Sequence, residues 1–184
     1  LYLLFNEGWS ATSGTVQVRP ALCEEAIRLA RLLVGLFPGM TELAGLLALF
    51  LFQHSRRHAR LGPDGLPVPL ERQDRGAWDR PMIAEARALL DRALRHGAPG
   101  PYQVQAAIAA VHAAAETPAV TDWAEIERLY GALYLFEPTP VVRLNHAAAV
   151  AKLRGPDAAL AMLAPLAADL DGYRWYHAAR GVFL

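Results

Sequence analysis

Gly100-Pro-Tyr-Gln-Val-Gln-Ala-Ala-Ile-Ala-Ala-Val-His112 is the stretch from which the fold is read. Pro101 suits a first helical turn, because its missing N–H would be unpaired there anyway. Alanines follow at Ala106, Ala107, Ala109, Ala110, Ala113, Ala114 and Ala115. Alanine favours the helix more than any other residue, and its small side chain lets helix axes approach closely. A helix of this composition suits stacked helix pairs, in which each pair buries a face against its neighbours.

Downstream, the pattern predicts helices over 102–115, 122–136, 140–154, 157–170 and 173–183. Short turns containing Pro or Gly join them, which makes successive helices antiparallel neighbours. Trp123, Ile126 and Tyr130 match first-helix positions of a tetratricopeptide (TPR) unit, and Asn145, Gly155 and Ala159 suggest a second, degenerate one. Upstream, a helix is predicted over 1–9, then a small, polar loop at 10–18. A second helix begins at Pro20, carries Leu22, Ala26, Leu29 and Leu33 at helical spacing, and stops at Pro38-Gly39. Thr41 is placed to cap a third helix reaching residue 60. Residues 59–70 break the pattern. Pro63-Asp64-Gly65 is a turn signal, and Leu66, Val68 and Leu70 alternate with Pro67 and Pro69. Proline donates nothing to a β-ladder, so only a short β-like arm is expected. Helix resumes over 81–96 and Gly97 ends it.

The predicted fold class is all-α: TPR-like antiparallel helix pairs in a compact right-handed array, with one short β-like arm near residues 59–70. The 184 residues are read as a single helical domain, with an N-terminal half at 1–97 and helix pairs at 98–184. The N-terminal half is expected to pack against the helix pairs around one core.

Composition limits function. Of the residues 54% are apolar, and 18 Lys+Arg balance 18 Asp+Glu. Zero net charge gives no general attraction for nucleic acid or an acidic membrane, and no direct DNA binding is expected. The longest apolar run, residues 43–52, is too short to span a bilayer, so no membrane association is expected. The lone Cys23 forbids an internal disulfide and fits a reducing cytoplasm; within its helical pattern it reads as a buried, inert thiol. The N-terminus has no basic leader and no cleavage site, and it starts without Met or a cap, as though in mid-helix.

Several polar groups stand out. Gln73–Arg80 carries Asp74, Arg75, Trp78, Asp79 and Arg80 directly after the arm. Such residues suit partner recognition, or an internal clamp in which Asp79 caps the next helix and Trp78 is buried. Whichever of Asp74, Arg75 and Arg80 faces an open groove is the first choice for partner contact, and Arg75→Ala is expected to alter activity with stability nearly intact. Glu7 sits on an apolar segment and needs a partner, for which Arg75 or Arg80 is a candidate. Tyr102, Gln105, Ala109 and His112 share one helical stripe and could line a groove, or hydrogen-bond between packed helices. His54 and His58 have the i, i+4 spacing of a zinc pair, but Arg56 and Arg57 between them oppose a cation. The cluster of Arg56, Arg57, His58 and Arg60 reads as a solvated face or a contact for an acidic partner. No phosphate loop, nucleophile elbow or zinc-ligand set is present. An enzyme is not expected, nor a catalytic residue, metal or cofactor.

Taken in order, several segments resemble one family. They are Leu3-Leu-Phe-Asn-Glu-Gly-Trp-Ser, Leu22-Cys-Glu-Glu-Ala-Ile-Arg, Gly45-Leu-Leu-Ala-Leu and Ser55-Arg-Arg-His-Ala-Arg. Leu70-Glu-Arg-Gln-Asp-Arg-Gly-Ala-Trp-Asp-Arg follows, then the Gly100 stretch, Thr121-Asp-Trp and Val142-Arg-Leu-Asn-His-Ala. Together they are similar to the TPR-like C-terminal extension of extracytoplasmic-function sigma factors, within the sigma-70 family. Trp9 stands where that resemblance expects Tyr, and Pro81 where it expects a small aliphatic residue. The two upstream sigma domains of such proteins are not visible in this sequence. The resemblance implies a regulatory, protein-interaction domain that controls fused sigma domains and, through them, RNA polymerase. It implies no catalytic residue. The competing expectation is a domain that senses a small-molecule effector or acts as an enzyme, using Asp74, Arg75 and Trp78 with Gln105 and His112.

Overall fold

A computed structural model describes residues 1–10 and 18–184. The loop expected at 10–18 therefore lies almost wholly outside the described residues. The fold is all-α, with ten α-helices among the described residues. The chain divides into two compact units, Leu1–Val120 and Thr121–Leu184.

The first unit holds α1 (Tyr2–Trp9), α2 (Pro20–Leu36), α3 (Thr41–His54), α4 (Arg80–Leu94) and α5 (Pro101–Ala114). Helix α3 is apolar on every side, and such a helix must be enclosed. It packs against α2, α4 and α5, and residues 45–52 are all buried. Phe50 stacks on Phe5 of α1 with ring centroids 4.3 Å apart. Two glycines let backbones meet. A Cβ on Gly45 would lie 2.8 Å from the backbone nitrogen of Gln103, and one on Gly8 would lie 2.8 Å from that of Cys23. Cys23 is buried as expected, and burial pushes its thiol up to about 11.

The sequence sets a seam at 97/98, yet α5 packs on α3 and α4, so the first unit runs through Val120. The reason is an interaction that spacing does not reveal. The Glu42 carboxylate accepts the α5 N-terminal amides of Tyr102 (2.9 Å) and Gln103 (3.2 Å). Thr41 does not cap its own helix; its hydroxyl accepts from Gln103 Nε2 at 3.3 Å. Helix α3 also ends earlier than expected, at His54, and only a 3-10 turn follows at Arg57–Ala59. The Ser55 carbonyl leaves the helical path to accept the Asp79 amide at 2.9 Å.

The arm is present as read. Val68 donates to Arg60 and Gly62 to Leu66, at 2.7 and 2.9 Å, around one antiparallel bridge between Leu61 and Pro67.

The second unit holds α6 (Trp123–Phe136), α7 (Pro140–Arg154), α8 (Pro156–Leu163), α9 (Ala167–Leu170) and α10 (Arg174–Phe183). Helix α7 packs on both α6 and α8, and α10 returns onto α8 and α7. Short turns make α6, α7 and α8 successive antiparallel neighbours. Leu144, Ala147, Ala159, Leu163 and Tyr176 share its core. The helix expected over 157–170 is broken by a 3-10 turn at Ala164–Leu166, because Pro165 lacks the amide that a continuous helix needs. Among the described residues, no helix is long and apolar enough to cross a membrane.

Candidate functional site

The polar segment after the arm is built as a clamp. Gln73 Nε2 donates to the Val68 carbonyl at 2.9 Å and ties the arm down. The Asp74 carboxylate accepts the Gly76 amide at 2.8 Å, starting a 3-10 turn. The Asp79 carboxylate accepts the Met82 amide at 3.0 Å and caps α4. Arg57 reaches the same carboxylate at 3.1 Å. The Met82 amide first, and Arg57 in addition, hold Asp79 below the usual carboxylate range.

Trp78 is 3% exposed, and Arg75, at 5%, is almost as buried. Both facts follow from the end of α5. The last carbonyls of a helix lack intrahelical donors, and Arg75 Nη1 donates to those of His112 and Ala115, each at 2.7 Å. Arg80 Nη2 in turn donates to the Arg75 carbonyl at 3.2 Å. Arg75 is therefore not the surface contact that its sequence position suggests; it is a cap for a distant helix. Asp74 and Arg80 are the exposed charged members of the segment. Glu7, for which Arg75 or Arg80 was the expected partner, has its carboxylate 3.3 Å from Arg19.

Around Trp78, cations and aromatic rings alternate. The Arg60 guanidinium carbon lies 4.0 Å from the Trp9 ring centroid. That of Arg56 lies 5.5 Å from Trp9 and 5.9 Å from Trp78. That of Arg75 lies 5.2 Å from Trp78. The sequence Arg60, Trp9, Arg56, Trp78, Arg75 thus forms a ladder whose ring faces attract the guanidiniums. Burial, then Arg60 and Arg75, pulls Arg56 down to about 10. Burial also lowers Arg60, and burial followed by Arg80 lowers Arg75. His112 is pressed down to about 4, by burial first and then by Arg56 and Arg75; it stays neutral at physiological pH.

The structure thus brings together Arg56, Arg75, Trp78 and His112 among the residues chosen from sequence. Arg57 belongs instead to the Asp79 pair. Gln105 lies half-buried on α5. At the start of its stripe, the Tyr102 ring packs against Tyr2 at 5.6 Å. Two residues escaped sequence reasoning. Gln73 looked like one polar residue among many, and Trp9 lies about 50 residues from the arginines beside its ring. The available signal for both was a tryptophan and an amide on segments otherwise committed to a core. Among the described residues, no three His, Cys, Asp or Glu side chains gather as a metal site requires.

Residues 1–94, just over half of the chain, match the family described as "Family of unknown function (DUF6596)", and the chain belongs to that family. It is also similar to an uncharacterized protein of Rhizobium meliloti (strain 1021), with 58% identity over 184 residues. That match covers 100% of this chain and 44% of the relative, so the chain spans less than half of the relative's length. No solved structure matches the chain.

Proposed function

We propose that this chain is a regulatory, protein-interaction domain of a sigma-70 family transcription initiation factor, acting in the cytoplasm on sigma domains fused to it. Through them it controls RNA polymerase, and promoter contact belongs to the fused domains. The resemblance quoted above supports the family part of this reading. A relative more than twice as long as the chain leaves room for the fused domains.

The observation that carries the interaction part is an apolar corner. Where α2 turns into α3, Leu32, Leu36, Phe37 and Met40 stand exposed, Leu36 at 71%. They are joined by Pro38-Gly39, and a Cβ on Gly39 would meet nothing. Apolar side chains gathered at one place on a surface mark contact with another protein. Their neighbours Cys23, Ala26, Ile27 and Ala30 already fill the core from the other face of α2, so the corner is not needed for folding.

The test uses the full-length Rhizobium meliloti relative with RNA polymerase. Transcription is measured with and without the segment matched here, and with the residues aligned to Leu36 and Phe37 changed to Asp. Expected is a change of at least roughly tenfold on deletion, equivalent to about 1.4 kcal/mol in the controlled equilibrium, reproduced by the Asp changes with an unaltered melting temperature. Transcription indifferent to deletion would end the proposal.

A further inference from the structure

The Arg–Trp ladder is rich in donors and poor in acceptors. Arg56 and Arg60 flank the 3-10 turn Arg57–Ala59 just after α3, and each guanidinium carries five N–H groups. For Arg56 the acceptor is the Gln53 side chain, and for Arg60 it is the Trp9 carbonyl; both are neutral. Neither arginine makes an ion pair with a carboxylate of the described residues. The residues at 11–17 hold no Asp or Glu either. Neighbouring Arg57 shows the ordinary alternative, since it takes the Asp79 carboxylate.

A second observation points the same way. Trp78 Nε1 is buried with no acceptor, in an indole flanked by the Arg56 and Arg75 guanidiniums. An indole N–H can only donate, and leaving such a donor buried and unmatched is costly. One anionic acceptor would match two guanidiniums that lack a carboxylate and an indole donor that lacks an acceptor. Ring faces attract cations but supply no lone pair, so the ladder alone does not meet that need. Arg56, Arg60 and Trp9 are only half-buried, so part of each reaches solvent.

We propose that the guanidiniums of Arg56 and Arg60, beside the rings of Trp9 and Trp78, hold a small oxyanion: a phosphate or carboxylate group. Planar guanidinium forks match both groups bidentately. Binding there changes the surroundings of the Trp78 indole, whose ring centroid lies 5.9 Å from the Arg56 guanidinium carbon. This site stands on the first unit alone and does not depend on the sigma-factor reading.

The experiment is a titration of the whole chain with inorganic phosphate and, separately, acetate, with chloride used to keep ionic strength constant. The readout is the indole N–H resonance of Trp78, assigned by its loss in Trp78→Phe. A saturable shift with phosphate, with acetate or with both is the expected result, and the responding anion identifies the chemistry. Arg56→Gln and Arg60→Gln should each weaken binding by roughly tenfold or more. Saturable shifts among the indole resonances are read in unmodified protein, so an unfolded arginine variant does not obscure the answer. The absence of a saturable shift with either anion overturns the proposal, as does wild-type affinity in folded Arg56→Gln and Arg60→Gln.

Discussion

The two units reach the same secondary structure by different routes. In Leu1–Val120 Asp79 caps α4 locally, but other junctions are closed from far away. Glu42 caps α5 across 60 residues, Arg75 closes its other end across 37 and 40, and Arg57 reaches Asp79 across 22. In Thr121–Leu184 the caps are neighbours: Asp122 accepts the Glu125 amide at 2.9 Å, and Thr139 accepts that of Val142 at 3.2 Å, each three residues on. Local closure yields helices that form independently of one another. Distant closure makes each helix wait for another, so damage at one point spreads. Four measurements, taken from the largest expected effect to the smallest, can break or sharpen this contrast.

Trp78→Ala empties a buried ring site against the arm and should cost about 3–5 kcal/mol in urea denaturation. Arg75→Met should follow at about 3 kcal/mol, since it removes charge-assisted bonds from two buried carbonyls. If Arg75→Met left stability intact, the distant closure of α5 would be unimportant and the contrast would fail.

Third comes acid. The His112 pKa is depressed in the folded chain, so native protein stays unprotonated while unfolded chains take up the proton. The stability associated with this group is intact above pH 6.5, falls as pH drops from 6.5 towards 4, and then levels off. The loss should approach about 3 kcal/mol. His112→Gln should remove that slope between the two pH values, whatever it does to stability at neutral pH. An unchanged slope would show that other groups govern the acid response.

The smallest effect is expected in the second unit. Asp122→Ala should cost about 1 kcal/mol, and hydrogen exchange should report the loss in the first turn of α6 alone. A drop in protection throughout α7 and α8 would mean that the second unit is as interdependent as the first.

The same contrast explains what was legible in the sequence. The bounds of α6 and α7 could be read because Asp122, Thr139, Pro140 and Gly155 sit next to the helix ends they define, with Gly155 at a φ of +87°. Trp78 burial and the Asp79 cap were legible for similar reasons: ring area demands cover, and a cap stands one residue before its helix. Membership of α5 in the first unit was not, because it depends on Glu42, Thr41 and Gln103 meeting across the fold. Arg75 was misread as a contact residue for the same cause. Its partners are backbone carbonyls, which carry no signature in side-chain identity. The Pro165 break was visible in principle, but periodic leucines on both sides concealed it.

The enclosure of α3 also has a consequence in time. Helix α3 is complete at His54, whereas the last residue of α5 is Ala114. At about 5–20 residues per second, synthesis leaves an interval of roughly 3–12 seconds between them. During it, the face of α3 that α5 will cover is open to water, with Gly45 and its apolar neighbours uncovered. The family match ends at residue 94, before α5 begins. A chain that stops there leaves that apolar face of α3 exposed, and transiently exposed apolar surface of this kind favours aggregation until the next twenty residues arrive.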